Sequence, residues 1–131
     1  MNKTEIENGL SQFTGTEQYH RFSILFRRVV ITDGVKWMAE KAGAFWLLDA
    51  IASYQPACLK DKMLREFQVW TLTTEQRSET NRRGHLKGER DTGDPKAIRQ
   101  EIEYTDFPLD EIKLYVEPCS AGQLIMLPSE R

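Results

Sequence analysis

Apolar positions along this chain change their spacing several times, and each change marks a candidate element. Ile6, Leu10 and Phe13 recur at intervals of four and three, the spacing of one helix face, so a short amphipathic helix is expected near the start. Gly9 lies inside it and lowers its helix propensity. Thr14, Gly15 and Thr16 read as a turn. Residues 23–31, SILFRRVVI, are rich in β-branched and aromatic types and read as a strand. In that strand Leu25, Val29 and Ile31 would share one face, and Phe26, Arg28 and Val30 the other.

The longest patterned stretch is 34–54, GVKWMAEKAGAFWLLDAIASY. Thr32 or Asp33 supplies an N-cap, and Pro56 disfavours helix in the residue before it, so one helix is expected to run to about Tyr54. At ~100° per residue, Val35, Met38, Ala42, Phe45, Trp46 and Ala52 form one apolar stripe. Trp37, Ala44, Leu48 and Ile51 cover the opposite side, so the helix is expected to be buried between layers. Ala39, Gly43 and Ala50 form a line of small residues past which another backbone can run.

A charged connector, 57–66, leads to FQVWTLT at 67–73, whose two apolar faces predict a central strand. Residues 97–107 alternate, with Ile98, Ile102 and Tyr104 opposing Arg99, Glu101 and Glu103, as in a half-buried antiparallel strand that Pro108 ends. IKLYV at 112–116 and QLIML at 123–127 are two more strands, joined through Pro118, Ser120 and Gly122. Between these strands lies 75–96, whose one large apolar residue is Leu86, and it is expected to form a polar mobile arm or hairpin. These elements predict a single α+β domain over 1–131: an antiparallel sheet of about four to five strands packed on one long central helix, plus a short N-terminal helix.

Composition adds limits. The chain has 131 residues, 40% of them hydrophobic, which is enough for one core, and a formal net charge of −2 that gives no global attraction to nucleic acid or membrane. The first ten residues lack the apolar centre of an export signal, and no apolar run approaches the ~20 residues of a membrane span. A cytoplasmic location is therefore expected, with Cys58 and Cys119 as reduced thiols.

Candidate chemistry is sparse. Cys58, Cys119, His20 and His85 lack the paired spacing of small zinc folds, so no metal site is expected. No glycine-flanked serine and no phosphate-cradling glycine pattern occurs, so no catalytic residue and no cofactor are assigned. The start of the long helix, Thr32-Asp33-Gly34, has free N–H groups for an anion, but the Asp33 carboxylate favours a capping role. Asp49 falls on the main apolar stripe and is expected to be buried and satisfied, by Arg27, Arg28 or a backbone N–H; the alternative is a general base. Glu101, Glu103, Asp106, Asp110 and Glu111 are either a solvated sheet face or contacts for a partner protein with a basic surface. Arg77, Arg82, Arg83, Lys87 and Arg90 are the alternative, a phosphate-contacting arm, with interleaved carboxylates that offset their charge.

Five segments, FTGTEQYHRF, TDGVKWMAEKAGAFWLLDAIASYQ, FQVW, QEIEYTDFPLDEIKLYVE and MLPSE, resemble an uncharacterised bacterial family associated with phages and plasmids. Segment 75–96 is longer and more charged than the family pattern. The resemblance implies a mobile-element accessory protein and brings no functional residue with it. The expected function is a small non-enzymatic binding protein acting by protein–protein contact, with an anti-CRISPR-like anti-defence role by analogy. The partner would be a host or mobile-element protein, or a second copy in a homodimer. The alternatives are a nucleic-acid or small-ligand module, using the 77–90 arm or a pocket beside the central helix, and an enzyme using Asp49 or Asp33.

Overall fold

Glycine decides how the long apolar stretch folds. In a computed structural model describing residues 2–15, 18–90 and 98–131, Gly43 takes φ +62° and ends the helix, its N–H donating to the Ala39 carbonyl. A residue without a Cβ enters this left-handed conformation at little cost, so the αL cap forms and the chain restarts. The expected single helix over 34–54 is therefore α2 (Asp33–Ala42) and α3 (Phe45–Ser53), followed by two short helices, α4 (Gln55–Cys58) and α5 (Lys62–Glu66). Among the described residues there is no long central helix. The short N-terminal helix is α1 (Lys3–Leu10), where Gly9 has a packing reason: a Cβ there would stand 2.0 Å from the Trp37 ring.

The fold is α+β, but its sheet is larger and of a different kind from the one expected. Among the described residues it holds seven strands: β1 (Tyr19–Arg21), β2 (Val29–Thr32), β3 (Gln68–Gln76), β4 (Arg82–Glu89), β5 (Ile98–Ile102), β6 (Glu111–Cys119) and β7 (Gly122–Met126). Their order across the sheet is β1-β2-β7-β6-β3-β4-β5. All neighbours are antiparallel except β2 and β7, which run parallel, so the sheet is mixed. Of the expected strand 23–31 only the end is β2; residues 23–28 are irregular, and Ile24 and Leu25 are exposed. Residues 82–89 of the polar segment are β4, inside the sheet, where alternation buries Gly84, Leu86 and Gly88. Gly88 lies under Trp70, and a Cβ there would meet the indole ring at 2.6 Å. The remainder of that segment, 91–96, lies outside the described residues.

The helices cover one face of the sheet. Trp70, Leu72, Leu86, Leu114 and Ile125 from the strands meet Met38, Leu48 and Ile51 from the helices in one core. Within it, Gln55 and Gln68 exchange amide hydrogen bonds at 2.9 Å in both directions. Gln55 also donates to the Ile51 carbonyl, Gln68 donates to that of Leu64, and the Trp70 indole N–H donates to the side-chain Oε1 of Gln68 at 2.7 Å. Such amides are tolerated in a core because their donors and acceptors are matched. The other face carries a smaller apolar cluster of Val30, Leu124 and Met126 and a charged region on β3 to β6.

Parallel pairing of β2 with β7 sends the chain out of both strands at the same end. Strand β2 leads directly into the first turn of α2, and β7 leads into a 3₁₀ turn, Pro128–Glu130. The buried Glu130 carboxylate thereby reaches the start of α2. It accepts from Thr32 Oγ1 at 2.5 Å, from the Gly34 N–H at 3.1 Å and from the Leu127 N–H at 3.0 Å. The anion at this helix start, which Thr32-Asp33-Gly34 suggested, is the chain's own, favoured there by unpaired N–H groups and the helix dipole.

Candidate functional site

Asp49 is exposed, contrary to the expectation that it is buried on the apolar stripe. The restart at Phe45 resets the helical phase, and α3 buries Leu47, Leu48, Ile51 and Ala52, leaving Asp49 on the outer side. The phase counted unbroken through Gly43 was the wrong one. Arg27 and Arg28 are also exposed and have no ion-pair partner among the described residues.

The five acidic candidates are all exposed, and their surroundings differ. Asp110 binds Lys3 Nζ at 2.6 Å and lies 3.4 Å from Arg82 Nη2. The hydrogen bond from Lys3, then its charge, then Arg82 hold the Asp110 carboxyl below the usual carboxylate range. Glu101, on β5, is hydrogen-bonded to His85 opposite it on β4. Glu103, Asp106 and Glu111 have no ion-pair partner among the described residues.

The basic candidates do not gather into one arm. Strand alternation places Arg83 and Lys87 on the face opposite Arg82. Arg82 donates to Thr74 Oγ1 at 2.6 Å and to the Leu109 carbonyl at 2.9 Å, tying the 103–110 loop to β3 and β4. Arg77 pairs with Glu75, and Lys87 with the buried Glu89 at 3.5 Å. Arg90 also has an internal partner. What the register does assemble is a row of Arg99, Lys87, Thr71 and Lys113 across β5, β4, β3 and β6, beside the row Glu101, His85, Thr73 and Glu111. Neighbouring rows of opposite sign largely cancel at a distance.

His20 Nε2 meets Asp33 Oδ1 at 2.7 Å and braces β1 against the first turn of α2. Among the described residues no group of three or more His, Cys, Asp or Glu could hold a metal. Cys58 is buried, and its thiol is pushed up to about 11 by desolvation, which keeps it protonated and unreactive near neutrality. None of the described helices is long and apolar enough to cross a membrane.

One mostly apolar concavity involves none of the residues singled out as partner-binding or phosphate-contacting. It lies at the end of the β2–β7 pair opposite Glu130, where residues 25–29 and the β6–β7 turn face the corner between α3 and α4. Its volume is about 390 Å³, in the lower part of the range for ligand pockets. Ala52, Pro56 and Leu59 form one wall, and Phe26, Pro118 and Gly122 the other. Gly122 is needed there, with φ +136° and a Cβ position only 2.0 Å from the Arg28 carbonyl oxygen. That carbonyl accepts from the Gln123 N–H at 2.7 Å, closing the floor.

Two polar features break the apolar lining. Gln123 is 5% exposed, and its Oε1 is buried without a hydrogen-bond donor. Leaving such an acceptor unpaired costs roughly 1–3 kcal/mol. Arg27, Arg28 and Arg65 stand at the rim, and none has an ion-pair partner among the described residues. Leu25, 83% exposed, lines the mouth with them, and its neighbour Ile24, 85% exposed, lines the adjoining hollow with Arg21, Phe22 and Arg27. Nothing in the periodicity marks Gln123, which falls inside an ordinary strand pattern, and Ile24 and Leu25 read as strand residues rather than as a lip.

One family model, for a family of unknown function, matches residues 4–131. No curated protein matches the chain, and no solved structure does.

Proposed function

This chain belongs to DUF6876, a family of unknown function, and we propose that it works by binding another protein, with the cavity and its apolar lip as the contact. The observation that carries the reading is the pair Ile24 and Leu25, adjacent large apolar side chains at 85% and 83% exposure, of which Leu25 lines the concave, mostly apolar cavity and Ile24 the hollow next to it. Covering each of them on association is worth about 1.5–3 kcal/mol. Exposed apolar patches with charged rims mark interaction sites. Arg27, Arg28 and Arg65 supply such a rim here.

A second reading, an alternative to the cavity, places a basic partner on the acidic residues, favoured by Glu103, Asp106 and Glu111, which have no ion-pair partner among the described residues. They suit a basic partner, as rim charges that speed encounter more than they add affinity. Inhibition of a host defence protein in a mobile-element setting is the cellular form of this reading and rests on the resemblance.

The test is quantitative affinity purification from host lysate with the wild type and with Ile24→Ser/Leu25→Ser. The lip makes few contacts of its own, so the variant is expected to fold with an unchanged melting temperature. A partner enriched by the wild type should fall at least about tenfold with the variant. Equal recovery by both proteins would remove the lip from the interface.

A further inference from the structure

Four features converge on the cavity and together specify what enters it. The mostly apolar space of about 390 Å³ has room for a large apolar side chain together with the backbone and cap of its own residue. Gln123, 95% buried, lines the space, and its Oε1 is covered and has no donor, so a turn of that amide toward the space lets an N–H or O–H of the occupant satisfy it. Three arginines without ion-pair partners surround the mouth, so the occupant carries a negative charge. Guanidinium groups bind carboxylates in paired hydrogen bonds. Finally, a small acid sitting inside would leave Ile24 and Leu25 bare, whereas a polypeptide leaving the cavity would cross them.

An apolar side chain, a backbone N–H and a carboxylate occur within one residue at the C-terminal end of a polypeptide. Taking as given that this cavity is the binding site, we propose that it receives the C-terminal residue of a partner protein. The apolar side chain enters the space beside Ala52, Pro56 and Leu59. Its amide N–H donates to Gln123 Oε1, its terminal carboxylate meets the rim arginines, and the preceding residues pass over the lip.

Three probes titrated into ¹⁵N-labelled protein test this: N-acetyl-leucine, its uncharged amide, and the tetrapeptide acetyl-alanyl-valyl-alanyl-leucine with a free carboxylate. Both acids are expected to give saturable shifts confined to the signals of residues 24–29, 52–59 and 118–123, with the tetrapeptide binding tighter. The amide, and the acids with the exposed-rim variant Arg27→Gln/Arg65→Gln, should bind at least about tenfold more weakly. Ile24→Ser, which leaves the cavity lining intact, should weaken the tetrapeptide but not N-acetyl-leucine. Absence of saturation by about 20 mM, equal binding of acid and amide, or unchanged binding by the arginine variant overturns the proposal. A tetrapeptide that binds no tighter than N-acetyl-leucine overturns the polypeptide as occupant. The proposed interface fails separately: a lysate partner lost with the lip variant but kept by the arginine variant leaves the interface standing and sinks the chain-end proposal.

Discussion

At the scale of single residues, the most consequential group is a carboxylate that no local pattern marks. Glu130 accepts three hydrogen bonds and joins the end of the described chain to the start of α2, 98 positions from Thr32. Glu130→Gln keeps the shape but replaces one acceptor oxygen with an NH₂ that faces another donor. It should lower stability by about 1–3 kcal/mol, measured as a shift of the urea midpoint at constant slope. An unchanged midpoint would make the latch dispensable. The sequence marked the other half of this contact, the free N–H groups at Thr32-Asp33-Gly34, because helix starts carry a local signature; the anion that fills them comes from far along the chain and has none. The reverse happened at Asp49. Its place on a stripe was legible, but the stripe assumed an unbroken helix, and the side chain is exposed.

At the scale of elements, boundaries were set by the residues that break regular structure. Helix α3 ends near the expected limit, with Tyr54 as its C-cap, but Gln55, the residue before Pro56, is already helical and Pro56 sits in the first turn of α4. Gly43 was legible as a small residue but not as a stop, since glycine inside an apolar period serves equally well for close packing. The charged strand β4 was obscured for another reason: its inward positions are Gly84, Leu86 and Gly88, and two glycines make no hydrophobic signal, though Gly88 makes room for Trp70. The docking of α1 is partly electrostatic. Lys3 is raised and Asp110 lowered by their mutual hydrogen bond. The Asp110 contribution is fully present above the ordinary carboxylate value of about 3.9 and is lost as pH falls through the lowered one; that of Lys3 is present below about 10.4 and is lost above its raised value. Asp110→Asn should therefore melt below the wild type at neutral pH, and the two should converge in acid, as pH falls through the lowered Asp110 value. A constant gap from neutral to acid would assign the difference to something other than this ion pair.

At the scale of the molecule, alternation and helical period identify which face of an element is buried, not which strand lies beside which. That is why the α+β class was readable and the seven-strand order was not. The parallel β2–β7 pair joins segments from distant parts of the chain, and both shared ends matter: Glu130 closes one, and the cavity opens at the other. The cavity exists only in the assembled fold, since its walls come from the 25–29 segment, the α3–α4 corner and the β6–β7 turn. The central claim is that a partner protein is held there and not at the acidic residues of β5, β6 and the loop between them. Hydrogen–deuterium exchange of the free chain and of its purified complex measures this most directly. The account predicts slowed exchange on binding at 24–29, 54–59 and 118–123, with 101–111 unchanged. Protection confined to 101–111 would contradict it.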